Sequence, residues 1–158
     1  MTAVIAWPRL AEPLLNVYLD FLADQKAFNE VTWLRLMYRS TLRSNTFYWG
    51  KLGYVLCAWQ RYQDAVKWMS DWRRRQDIQP WMLSNLALSL RELGQWTESY
   101  RVGQAALALE QDHPRDVWRV WVALEAQIRG DAETARALYD QIEKRDLTAY
   151  HTWVLSLL

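Results

Sequence analysis

From position 46 to 146, apolar residues recur at steps of three and four, the period of a helix with one buried stripe. Trp49, Leu52, Gly53 and Leu56 make one such stripe, and Leu83, Leu86, Ala87 and Leu90 repeat it 34 residues later. The match continues with Tyr62 and Trp96, Ala65 and Ser99, Val66 and Tyr100, Met69 and Gly103. Polar punctuation divides each copy, Gln60-Arg61 in one and Gly94-Gln95 in the next. Each copy therefore predicts a helix, a tight turn and a second helix. The small residues Gly53 and Ala87 mark where the second helix approaches closely.

A third copy follows 36 residues on, with Val122-Ala123 in the first stripe and Gly130-Asp131 at the turn. Ala135, Tyr139 and Ile142 are expected to continue its second helix. The two extra residues fall around Asp112, His113 and Pro114, where proline ends a helix. Upstream, Leu15, Tyr18, Leu19 and Leu22 form a stripe, and Asp24-Gln25-Lys26 a turn. Phe28, Leu34, Met37 and Tyr38 then give a second stripe, so this is a degenerate first copy. Beyond Asp146, Tyr150, Trp153, Val154 and Leu157 open a fifth unit that is not finished.

The expected fold is all-α, with about four antiparallel helix pairs in units 12–45, 46–79, 80–115 and 116–149, and a partial fifth unit or cap at 150–158. A single pair cannot bury its apolar face alone, so neighbours are expected to stack into one continuous core as a solenoid.

Composition supports this class. A chain of 158 residues, 51% apolar and 23% charged, suits one folded domain. Five glycines and four prolines are too few for the turns of an all-β chain, while 11 tryptophans and 8 tyrosines predict helices packed with large side chains. The net charge of +1 supplies no whole-molecule field for nucleic acid or an anionic membrane. No apolar run approaches the roughly 20 residues of a membrane span, and the N-terminus lacks a signal-peptide pattern, so a soluble, cytoplasmic chain is expected.

Catalytic chemistry finds little footing. Cys57 is the single cysteine and has no histidine near it in sequence. His113 and His151 stand apart, and the five glycines form no phosphate-cradling loop. The chain is therefore expected to be no enzyme and to hold neither cofactor nor metal. Two basic features stand out. Arg73, Arg74 and Arg75 are expected to complement the end of their own helix. Arg35, Arg39 and Arg43, spaced by four, make one stripe that could grip phosphates.

The openings at Trp49 and Leu83, the Leu-Gly and Leu-Ala pairs, the Gly94-Gln95-Trp96 turn and the small residues Ala65, Ala106 and Ala135 resemble the tetratricopeptide repeat family. The resemblance covers residues 46–146 well and 12–45 loosely. Trp72, where a small residue is usual, and Gly103, where a bulky one is, depart from the pattern. The resemblance implies a right-handed superhelix whose first helices line a concave groove for a protein partner.

By the same resemblance, Phe47, Lys51, Tyr54, Trp81, Asn85, Leu88, Arg91, Trp121, Leu124 and Ile128 face that groove. Such a lining suits an apolar peptide or an amphipathic helix, with Lys51, Asn85 and Arg91 fixing its orientation. Two other readings stand beside it: a small secretion or assembly chaperone for a helical client, and a nucleic-acid binder acting through Arg35, Arg39 and Arg43. The apolar C-terminal segment 153–158 (Trp153, Val154, Leu155, Leu157, Leu158) also offers a route to self-association.

Overall fold

The computed structural model describes residues 12–25, 28–109, 116–143, 147 and 149–156. Helices α1 (Glu12–Gln25), α2 (Phe28–Met37) and α3 (Arg39–Ser44) come first. They are followed by α4 (Thr46–Ala58), α5 (Tyr62–Met69) and a single 3₁₀ turn (Trp72–Arg74). Then come α6 (Pro80–Glu92), α7 (Trp96–Leu109), α8 (Asp116–Ile128), α9 (Ala132–Asp140) and α10 (Ala149–Leu155). The described residues include no strand.

Local chemistry sets the helix ends. Asn45 caps α4, its Oδ1 accepting from the backbone N–H groups of Phe47 (2.9 Å) and Tyr48 (3.3 Å). Pro80 opens α6, where its missing N–H costs nothing. Asp131 caps α9 by accepting from the Thr134 N–H at 3.1 Å. The break at Tyr38 is shallow, since Tyr38 N–H donates to Leu34 and Leu42 N–H to Tyr38, so α2 and α3 continue one ladder.

The turns after α4, α6 and α8 share one geometry. Gln60, Gly94 and Gly130 take positive φ of 59°, 72° and 81°. The next residue then donates five back along the helix: Arg61 to Leu56, Gln95 to Leu90 and Asp131 to Ala126, at 2.9, 2.9 and 3.0 Å. This is the Schellman arrangement, which satisfies carbonyls a helix end would otherwise orphan. Glycine adopts that backbone freely, whereas Gln60 does so against a steric penalty.

Helix α4 packs on α1, α3, α5 and α6; α6 packs on α5 and α7; α8 packs on α7, α9 and α10. The main core joins α1 to α7 through residues such as Leu19, Leu34, Trp49, Leu52, Met69, Met82, Leu86 and Ala106. Two smaller clusters hold the C-terminal helices: Tyr100, Val122, Ala126 and Ala135 in one, Val120 and Val154 in the other.

Close approach is bought by glycine where helices cross. A Cβ on Gly50 would lie 2.6 Å from Met82 of α6, and one on Gly53 would strike the Met69 sulfur of α5. Ala65, Ala106 and Ala135 are all buried.

Two expectations about stripes are corrected. Met37 is 62% exposed; the buried line runs Val31, Leu34, Leu42, with Tyr38 half-buried, which is the register the bent α2–α3 rod presents to the core. Tyr139 lies in α9 as expected, on its exposed side, but α9 ends at Asp140, so Ile142 lies beyond the helix and packs near Val120 and Val154. The expected turn at His113 and Pro114 lies outside the described residues.

Candidate interaction surface

Side chains on α1, α4 and α6 touch in a line. On α1, Asp20 accepts from the Lys51 ammonium of α4 at 2.5 Å. The same ammonium lies 5.7 Å from the Phe47 ring centroid, and Phe47 meets Trp81 of α6 edge-on at 6.3 Å. Phe47 is 42% exposed and Tyr54 37%, while Trp81 and Leu88 are half-buried. The surface along α4 and α6 is therefore aromatic, open and fixed in place by contacts between helices.

The polar residues expected to orient a partner are engaged within the chain. Lys51 is held by Asp20, and the Asn85 amide donates to the Trp81 carbonyl one turn back at 2.9 Å. Arg91 is 8% exposed, 3.4 Å from Glu125 of α8 and 3.7 Å from the Trp121 ring centroid. Its expected role as a groove donor is corrected: a buried cation needs its counter-charge, and Glu125 supplies it. Trp121 and Leu124 pack into the cluster around Val120 and Val154, and Trp121 also meets His151 of α10 edge-on at 6.0 Å. They are partly covered by the C-terminal helix, whereas Ile128 stands exposed at the far end of α8.

Glu125 was not legible as a core residue, because a carboxylate reads as solvent-facing. Gly103 lets α8 approach: a Cβ there would sit 2.8 Å from Val122, with Glu125 Oε2 in ordinary contact at 3.9 Å. Burial pushes the Glu125 carboxyl above its ordinary value, against the opposing pull of Ser99 and Arg91. Ser99 Oγ lies 2.5 Å from Glu125 Oε1 and 2.9 Å from the Ala87 carbonyl oxygen. The Ser99 hydroxyl is thus shared between a buried carboxylate and a helix carbonyl, and Arg91 supplies the opposing charge from α6.

A second polar cluster joins α3, α4, α5 and the 3₁₀ turn. Trp49 indole N–H lies 3.3 Å from the Trp68 carbonyl and 3.1 Å from Asp71 Oδ1, and the Trp68 indole donates back to the Trp49 carbonyl at 2.9 Å. Asp71 Oδ2 accepts from Arg75 (2.8 Å) and pairs with Arg43 (3.3 Å). Partial burial pushes Asp71 up, but the Arg75 hydrogen bond and the charges of Arg75 and Arg43 outweigh it and hold the carboxyl low.

Arg75 also donates to the Arg43 carbonyl at 2.9 Å. The basic run thus satisfies the end of α3 rather than its own helix, and Arg73 turns to Glu98 at 2.6 Å. Trp72, half-buried against the main core, belongs to the 3₁₀ turn that replaces further turns of α5.

Between α2–α3 and α5 lies a cavity of about 410 Å³, bordered by Arg35, Arg39, Arg43, Lys67 and Trp68. Cys57 is buried at the contact of α4 with α6, hydrogen-bonded to Ser89, and burial pushes its thiol up. Among the described residues, no group of three His, Cys, Asp or Glu is placed to hold a metal ion, and no helix is long and apolar enough to cross a membrane. Comparison of the chain with protein-family models, with curated proteins and with solved structures found no match in any of the three.

Proposed function

We propose that this chain is a non-enzymatic protein-interaction module, built as a right-handed tetratricopeptide-like solenoid, that captures an apolar peptide or amphipathic helix along α4 and α6. The observation that carries the reading is the pairing of exposed Phe47 with Trp81 across two first helices, with Tyr54 exposed about two turns along α4. Aromatics already fixed by their neighbours lose little freedom when a partner covers them, and they bury large area. Helix pairs that begin at Thr46, Pro80 and Asp116, joined by the same left-handed turn, support the repeat architecture. With Lys51, Asn85 and Arg91 engaged inside the chain, recognition rests on shape and apolar contact.

The test uses fluorescent amphipathic helical peptides selected on the wild-type chain from a display library. Phe47→Ala combined with Tyr54→Ala should weaken capture at least tenfold while leaving the helical circular dichroism and melting temperature near wild type, since both side chains are exposed. Equal capture by this variant, or a library that yields no binder, would overturn the reading.

A further inference from the structure

Four cations border the cavity between α2–α3 and α5, and among the described residues their only acidic partner is Asp71. Arg35, Arg39 and Arg43 descend one face because the hydrogen-bond ladder continues across Tyr38, and Lys67 faces them from α5. Asp71 is shared, since it pairs with Arg75 as well as Arg43. Arg39 and Lys67 are exposed and make no ion pair among the described residues. The cluster therefore carries a surplus of positive charge.

The arginines are also held in place. The Arg43 guanidinium lies 4.0 Å from the Trp68 ring centroid, and that of Arg35 5.7 Å from the same ring. Trp68 cannot move to suit them, as it is 3% exposed and its indole donates to the Trp49 carbonyl. Partial burial and the charges of Arg75, Arg39 and Arg35 loosen Arg43's hold on its proton, with Asp71 opposing. Positioned, mutually repelling guanidiniums beside a cavity are what a multiply charged oxyanion would relieve.

We propose that this cavity binds a compact ligand carrying two or more phosphate groups, held by Arg35, Arg39, Arg43 and Lys67. Its volume suits a small molecule, at the low end of ligand pockets. A single-stranded nucleic acid fits less well, because strand binding uses aromatic faces for bases and Trp68 is buried beneath the arginines. The site lies away from the aromatic surface on α4 and α6, so it stands or falls separately from the interaction reading.

Titration calorimetry with inorganic tripolyphosphate at physiological salt tests it. The wild type should bind saturably at one-to-one stoichiometry, and the ligand should raise the melting temperature. Arg39→Gln combined with Lys67→Gln should weaken binding at least tenfold, with the ligand-free melting temperature unchanged. The exposed control Arg136→Gln should bind as wild type, and so should Phe47→Ala with Tyr54→Ala. Absence of saturable binding, equal losses in the control, or full binding by the Arg39 and Lys67 variant would overturn the proposal. Tighter binding of a single-stranded RNA 12-mer than of tripolyphosphate would overturn it in favour of a nucleic-acid site.

Discussion

Tryptophan does two jobs in this chain, and the exchange between Trp49 and Trp68 shows both. Each ring fills the contact of α4 with α5, and each indole N–H reaches the other's backbone carbonyl. A large aromatic with a polar tip can be buried only where that tip finds an acceptor, and backbone carbonyls of the neighbouring helix provide one. Trp59 follows the same rule, donating to the Ala23 carbonyl of α1 at 3.0 Å. The abundance of tryptophan was readable in the sequence, but this bonding pattern was not, because it depends on which helices meet.

Glu125, 2% exposed, yields the sharpest expectation at this scale. Its folded-state affinity for a proton is raised, so the folded chain holds that proton to higher pH than the unfolded one. Stability from this group is fully present below the ordinary carboxyl value of 4.5 and is lost as pH rises above it. Glu125→Gln should remove that loss, so urea titrations across the pH range should show a flatter stability profile for the variant. An unchanged profile would refute the assignment. Glu125→Ala should cost more, about 3 kcal/mol, because it also takes away the side-chain oxygen that Arg91 and Ser99 share in the interior.

At the level of elements, the spacing of apolar stripes foretold helices and the turns after α4, α6 and α8. Gln60, Gly94 and Gly130 were aligned in the sequence, and all three sit in the same left-handed turn. Local rules were enough there, since a turn depends on a few neighbouring residues. They failed where packing decides: Met37 turned outward, and α9 stopped before Ile142. They also missed Lys67, which joins the arginine stripe only because α5 borders the same cavity as α2 and α3. The swap of Met69 for Gly103 between copies looked like a departure, and the structure gives it a reason. Gly103 admits Val122 of α8. Gly103→Ala gains about 1 kcal/mol of helix propensity but meets a stiff, β-branched Val122, and overpacking costs about 1–3 kcal/mol. The net expectation is destabilisation of up to about 2 kcal/mol, readable as a lower urea midpoint with an unchanged slope.

Across the whole molecule, apolar burial is uneven. Helices α1 to α7 share one extended core, whereas α8, α9 and α10 are held by two small clusters, and Ala135 is the buried residue of α9. A molecule whose elements contact mainly their neighbours need not open all at once. Hydrogen exchange should therefore be roughly tenfold or more faster for the amides of α9 and α10 than for those of α4 and α6. Uniform protection along the chain would show that the C-terminal helices are coupled to the main core more tightly than their burial suggests.

Cys57 gives this molecule a built-in clock. Its thiol is shut inside the contact of α4 with α6, and burial disfavours the reactive thiolate. A soluble disulfide reagent can reach it only when those two helices part, and no other thiol competes for the reagent. The labelling half-time of the unmodified chain thus times the opening of the very helices that carry Phe47 and Trp81, and a bound peptide bridging them would slow it.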